Sequence, residues 1–572
     1  MIYNIISLIN SYDNQLLIQG TIIILPIITL LVIIIFYINN NKYRNKTGHE
    51  LPPVCPFSFF EMRKVFLNDK GLEKVSFFHS ITNIFLNKSL EHHGKTKYGF
   101  IFRMPTVYAK YYIIITDYVL ARIILQGNHE MNVIEKEKSS MYETLNFLDS
   151  KSYNLVTHKT TNKDREHTRK AYAVNFSYSN LQRQWIYIET ALIEEFQLLH
   201  KLIHSDKKGI LNLKVEMLQF FLRLLGKSTF DIDVNFDHID NENTIDGMKY
   251  LEYQEEICRE RIKEVNIPFR KYMFWNSHVK KAYDAKEYLI YTCNKILYHY
   301  QKNKVTNEGR KFTPLIDYID QENYPNHMAK LSDIAILLFA GHDTTAFTFS
   351  FLLMEIARNP DVKMKIQAEI DKIMPKHALG TTKAPINEKN VNDSSNINTT
   401  NDDNSNNNDD DVHNDYDHGD VKLLSAINGL EYLNYCIKES MRLWPVAAVG
   451  ASRSLTEDMN ISDDMYIPKG SIIVTNFYSM FRSHWINQSN SFLPDRWSSS
   501  NPQLTQLKEM FIPFSIGKRS CLGMNMAMFQ LRVVVVYFLY YYDIELISEP
   551  TFELFITFKP DQLMMKLTER KH

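Results

Sequence analysis

Near its C-terminal end the chain reads FSIGKRSCLG, from Phe514 to Gly523. One cysteine stands between two glycines, with an arginine two residues before it and an aromatic at the start of the stretch. The five cysteines are Cys55, Cys258, Cys293, Cys436 and Cys521. None forms a CxxC pair, which removes zinc-knuckle and dithiol redox chemistry. So sparse and odd a number points to a reducing compartment rather than a disulfide framework. The apolar run MNMAMFQLRVVVVYFLYYY follows, which places Cys521 just before a helix N-terminus, where unpaired N–H groups and the positive dipole end favour a thiolate. Gly517 and Gly523 permit backbone turns closed to other residues and the close approach of a flat ligand. Lys518 and Arg519 supply positive charge for carboxylates. A thiolate in such a loop suits a haem-iron ligand; the commoner fate of a lone cysteine is inert burial.

Three further stretches have residue types that do chemistry. AGHDTT, Ala340 to Thr345, lies inside the apolar run LSDIAILLFAGHDTTAFTFSFLLMEIARNP, which the spacing predicts as one long buried helix. Asp343, Thr344 and Thr345 in its middle are costly there unless satisfied or used. Gly341 would leave room for a local helix distortion that opens a groove, and His342 reads as exposed or hydrogen-bonded. In KESMRLWP, Glu439 and Arg442 stand at i, i+3 on one helix face, a spacing that alone signals only a surface ion pair. FLPDRW, with Arg496, follows about fifty residues later.

Phe514, Gly517, Arg519, Cys521 and Gly523 together match FxxGxRxCxG, and the sequence resembles the cytochrome P450 family. The resemblance implies a mainly α fold with small β-sheets, a haem b (iron protoporphyrin IX) cofactor, and Cys521 as the axial thiolate ligand of its iron. It implies Arg519, Arg169 and Arg453 at the haem propionates and Phe514 beside the ring. AGHDTT matches the family's oxygen-activation signature, which makes Thr344 the alcohol that hydrogen-bonds dioxygen and Asp343 the acid that relays protons. Glu439, Arg442 and Arg496, in a PERF-like PDRW, would form a buried structural network. One position departs from the pattern: where the family has tryptophan four residues before Arg169, this chain has Arg165, which would serve a propionate carboxylate or form a solvated basic face.

These residues need a large scaffold to position them, and the composition provides one. A hydrophobic share of 45% and a charged share of 23% are those of a globular protein with a large core. No internal repeat occurs. From Val391 to Asp420 there are nine Asp and no Glu, Lys or Arg, so the remainder carries +8 while the whole chain is at −1. That mild basicity suits an acidic protein face or an anionic membrane surface and falls short of a nucleic-acid footprint. The Asn/Asp-rich stretch, about 376–420, is expected to be a disordered insertion between two helices.

The start of the chain has a different character. No charge occurs between Asp13 and Lys42, and about 20 apolar residues span a bilayer. Residues 21–40 therefore read as a single-pass transmembrane anchor. Lys42, Arg44 and Lys46 follow it, which predicts residues 1–20 as lumenal and the remainder as cytosolic. Residues 41–56, with LPPVCP, form a stiff linker, and 57–572 the catalytic domain. The family resemblance adds the endoplasmic reticulum membrane and electrons from a separate NADPH–cytochrome P450 reductase, with cytochrome b5 as a second donor.

The reading is a haem-thiolate monooxygenase acting on a hydrophobic small molecule. Its competitors are a haem-thiolate isomerase or dehydratase of oxidised lipids, which needs no proton relay, and a non-catalytic haem binder, which only Arg165 favours. Pocket walls are expected near 130–160, near 225–275 and at VAAVGAS, 446–452. There Ala447, Ala448 and Gly450 fit a roomy floor or tight helix–strand packing equally well.

Overall fold

Helical spacing of apolar residues dominates the chain, and the computed structural model turns it into a mostly helical fold with small sheets. It describes residues 101–104, 112–126, 137–138, 140–148, 152–158, 162–205, 209–237, 240–266, 270–304, 312–374, 418–462, 465–554 and 556–571. The expected anchor at 21–40 and linker at 41–56 lie outside the described residues, as does most of the acidic stretch. Residues 418–420, expected in that insertion, instead open the helix His418–Asn428, because VKLLSAI restores apolar helical spacing immediately after them.

The helices that carry the site are α1 (Tyr118–Gln126), α2 (Lys163–Asn175), α3 (Tyr178–Ser205), α4 (Leu213–Leu225), α5 (Gly247–Asn266), α6 (Ser277–Asn303), α7 (His327–Arg358), α8 (Glu431–Leu443) and α9 (Met524–Tyr541). The strands used below are β1 (Ile101–Met104), β2 (Tyr112–Ile115), β3 (Glu137–Lys138), β4 (Ile210–Asn212), β5 (Ser452–Ser454), β6 (Ile472–Thr475), β7 (Tyr542–Leu546), β8 (Phe552–Leu554), β9 (Phe558–Pro560) and β10 (Met564–Glu569). A five-stranded mixed sheet runs β1-β2-β6-β5-β3, a three-stranded antiparallel sheet runs β7-β10-β4, and β8 and β9 form a hairpin. Arg453 of β5 stands opposite Ile473 of β6 and Lys138 of β3.

Helix α7 is the central strut. Asn326 caps it, its side chain accepting from the Ala329 N–H at 2.9 Å. It packs on α4, α6, α8, α9 and β9, so its sequence is apolar on nearly every side rather than along one stripe. By length and composition α7 and α9 would each cross a membrane. Yet 78% and 67% of their apolar windows are buried within the protein, which makes them core helices.

Aromatic rings join these helices. Phe349 of α7, fully buried, has its ring centroid 5.6 Å from that of Phe221 on α4 and 5.5 Å from that of Phe538 on α9. Phe349→Ala is expected to lower stability by about 3–5 kcal/mol through lost burial and a cavity. Met364→Ala, at an exposed residue, should stay within about 0.5 kcal/mol. Denaturant unfolding of the two variants beside wild type measures the difference.

Candidate active site

The cysteine loop is shaped by its own backbone. The Cys521 N–H donates to the Phe514 carbonyl at 2.8 Å and the Ser520 N–H to Gly517 O at 3.0 Å, closing the turn ahead of α9. Gly517 takes φ +77°, and a Cβ there would lie 2.5 Å from the Leu125 carbonyl oxygen of α1. Glycine is therefore required. Gly523 departs from the expectation: its φ of −83° is open to any residue, and a Cβ would meet only Phe176, at 3.9 Å. Phe514 is half-buried and packs against the main core. Of the four described cysteines, Cys258, Cys293 and Cys436 are buried and Cys521 is exposed. Burial pushes the three buried thiols well above the ordinary range, so they are inert.

Arginines converge on this loop. Arg165 and Arg169 stand one turn apart on α2. Arg165 Nη2 donates to Lys518 O at 3.3 Å and its Nε to Leu155 O at 3.4 Å; Arg169 Nη2 donates to Ser520 O at 2.8 Å. Arg165 is only 5% exposed, so the solvated-face reading does not hold. Arg519, buried as well, donates to the His158 carbonyl. Burial and then the Arg519 charge hold His158 below the ordinary histidine range, which keeps it neutral at pH 7. Arg453 is fully buried on β5, with Nη1 donating to Ser452 O at 2.9 Å.

On α7 the polar residues divide between two sides. Asp343 is buried, and its Oδ2 accepts from Thr557 Oγ1 at 2.8 Å. Thr557 sits in the turn of the β8–β9 hairpin. Burial pushes the Asp343 carboxyl up against the pull of His342, Lys559 and Thr557. Thr344 is half-exposed and, with exposed Ala340 one turn away, forms an accessible strip on an otherwise buried helix. Its hydroxyl donates to Ala340 O at 2.8 Å. His342 is fully buried and donates from Nδ1 to Leu338 O at 2.7 Å.

One expectation needs correction here, and one open alternative is decided. The helix runs unbroken through 340–345, so Gly341 opens no distorted groove; its missing side chain admits Leu225 of α4, whose Cδ2 would lie 2.8 Å from a Cβ. Gly450 takes φ +74° with a Cβ position 1.8 Å from Thr475 O, so the 446–452 segment is tight packing there and not a roomy floor.

Behind the loop, Glu439 and Arg442 are wholly buried. Arg442 donates bidentately to Glu439 at 2.8 and 2.9 Å, Arg496 Nε at 2.7 Å, Trp497 Nε1 at 3.0 Å and the Leu493 N–H at 3.0 Å. Arg442 also donates to the carbonyls of Phe481 and Ser489, at 2.9 and 2.7 Å. Trp497 and Thr557 are the functional partners that sequence reasoning missed. Burial raises the Glu439 carboxyl, but the hydrogen bonds and charges of Arg442 and Arg496 outweigh it and hold the group below its ordinary value of 4.5.

The family model for cytochrome P450 matches residues 83–391 and 418–570. The chain belongs to the cytochrome P450 family. Rabbit (Oryctolagus cuniculus) cytochrome P450 3A6 is 26% identical over 292 residues, 50% of this chain and 49% of that protein. Human (Homo sapiens) cytochrome P450 3A5 is 28% identical over 39% of this chain and 36% of its own length. Cytochrome P450 monooxygenase FCK2 of Fusarium pseudograminearum is 26% identical over 41% and 35%. The matched part thus spans about half or less of these curated relatives. The crystal structure of a cytochrome P450, CYP102L1, aligns with TM-score 0.65 at 17% identity, covering 85% of this chain and 98% of that one, which establishes the fold.

Membership implies a haem, and the donor chemistry of this P450 fits one. Among the described cysteines one accessible sulfur lies in a glycine-shaped loop before a helix, guanidiniums that bond the loop suit propionate carboxylates, and α7 exposes a strip at Ala340 and Thr344.

Removing one partner of the Glu439 network should cost about 3–5 kcal/mol, because it strands a buried charge. Arg496→Ala and Glu439→Gln are expected to unfold at lower denaturant concentration and to load less haem. The depressed carboxyl stabilises the fold above pH 4.5, and that contribution is lost as pH falls through the folded-state value. Acid unfolding should therefore be steeper in wild type than in Glu439→Gln, as circular dichroism would measure.

Proposed function

We propose that this P450 is a haem-thiolate monooxygenase that inserts one oxygen atom of dioxygen into a hydrophobic small molecule. Electrons would come from NADPH through a separate cytochrome P450 reductase, with cytochrome b5 as a second donor. The observation that carries the reading is the accessible Cys521 in a loop clamped by Arg165 and Arg169 through its own carbonyls. Haem b, when bound, supplies the activation of dioxygen and the oxidising power.

The residues of this chain do the rest. Cys521 would supply the thiolate that holds the haem iron, and the nearby start of α9 favours its charge. Arg169, Arg519 and Arg453 would hold the propionates, with Arg165 as a further donor. Phe514 would pack by the ring, while Gly517 fixes the course of the loop and Gly523 would leave its approach open. Thr344 donates to Ala340 O and so keeps its oxygen lone pairs on the accessible strip, where they can accept and align a proton. Asp343, steadied by Thr557 and with its carboxyl raised by burial, can hold a proton nearer neutral pH than a solvated aspartate. Residues 21–40 would anchor the protein in the endoplasmic reticulum membrane with its catalytic domain cytosolic, and the basic remainder suits an acidic reductase face.

The decisive measurement is the ferrous–CO difference spectrum of the reconstituted holoprotein. Wild type is expected to give the red-shifted Soret band of a thiolate-ligated haem and Cys521→Ala to lose it; a wild type without that band overturns the proposal. With a reductase and a bound substrate, Thr344→Ala should still consume NADPH while product per NADPH falls by about tenfold or more, since proton delivery is worth that much.

A further inference from the structure

A second cluster of ligating side chains lies at the far end of α3. His200 and His204, one helical turn apart, face Glu569 at the end of β10, and one ligand atom from each of the three lies within 4.8 Å of the others. The imidazole rings lie with centroids 4.2 Å apart and planes tilted by 41°. His204 Nδ1 is 2.9 Å from the His200 carbonyl oxygen. A carbonyl can only accept, so Nδ1 carries a proton, and in the neutral ring the lone pair is on Nε2, 4.0 Å from Glu569 Oε2. A ring whose other nitrogen donates to a backbone carbonyl is the arrangement metal-bound histidines use. His200 Nδ1 is in close contact with Glu569 Oε1, an ion pair when the ring is protonated.

The scaffold under the cluster is rigid. Ile210 and Leu211 of β4 pair with Lys566 and Met565 of β10. Gly209, at φ +61°, accepts from the Leu567 N–H at 2.9 Å, and a Cβ there would lie 2.6 Å from Leu567 O. The chain just after α3 and the last strand are therefore held in one register. The negative end of the α3 dipole also favours a cation at this place. Side-chain exposures of 37% for His200, 55% for His204 and 44% for Glu569 leave the cluster open to ions from solvent.

We infer that His200, His204 and Glu569 form a binding site for a divalent transition-metal ion of the zinc class, which ties the end of α3 to the C-terminal strand. Two imidazoles and a carboxylate are an N,O donor set for such an ion, with a fourth position left for water. Metal–ligand bonds of about 2.0–2.2 Å set neighbouring donors roughly 3–3.5 Å apart, so rotations of these half-exposed side chains close the set around the ion. The site is independent of the cysteine loop.

The test uses the full-length holoprotein and Zn2+ alone, titrated by calorimetry, with zinc per chain counted by elemental analysis after dialysis and haem iron counted separately. Wild type is expected to retain one more zinc than His204→Ala, and its melting temperature to rise with zinc while that of the variant stays level. Glu569→Gln, which keeps the side-chain shape, should bind zinc about tenfold or more weakly. Equal retention by wild type and both variants, or retention by none of them, overturns the assignment.

Discussion

One buried carboxylate carries the architecture around the cysteine loop. Glu439 accepts from two guanidiniums, an indole and a peptide N–H. The groups it gathers come from α8 and from 493–497, two segments with no secondary-structure pairing between them. An isolated ion pair in so dry a place would cost more than it returns; full hydrogen bonding is what makes this one tenable. Arg442 extends the arrangement by donating to carbonyls of 481–491, a stretch without regular structure of its own. Irregular chain is thereby given one course, and that course leads to Phe514 and the turn that presents Cys521.

Much of the candidate site was legible because its signatures are local. FxxGxRxCxG needs ten consecutive residues, and AGHDTT needs six. The long helix followed from the apolar run Leu331 to Pro360. What escaped was whatever depends on residues far apart in the chain. Asp343 had to find a donor, but nothing near it in sequence names Thr557, more than two hundred residues later. Gly341 looked like a place for bending because sequence does not show Leu225 pressing against it. Arg165 looked equally suited to solvent or to carboxylate; only the packing of α2 on the loop reveals that it is buried. Gly450 was ambiguous for the same reason, since Thr475 O is its neighbour across a sheet.

The apolar helices show where composition stops being informative. The stretch before Lys42, α7 and α9 all have the length and hydropathy of a bilayer span, yet α7 and α9 are enclosed by the protein. Enclosure also explains their internal chemistry. Hydroxyls at Thr344, Thr345, Thr348 and Ser350 each bond the carbonyl one turn earlier, the only acceptors a crowded helix surface offers without outside help. Asp343 has no such local option, and its partner comes from the C-terminal hairpin.

At Gly517 the main chain of the cysteine loop approaches the main chain of α1 so closely that no side chain can stand between them. The loop is thus indexed to α1, and α1 follows directly from β2 of the mixed sheet. Where the sulfur stands is then set by a hard backbone stop rather than by pliable packing. A displacement of α1 would therefore have to carry the loop, and Cys521 with it.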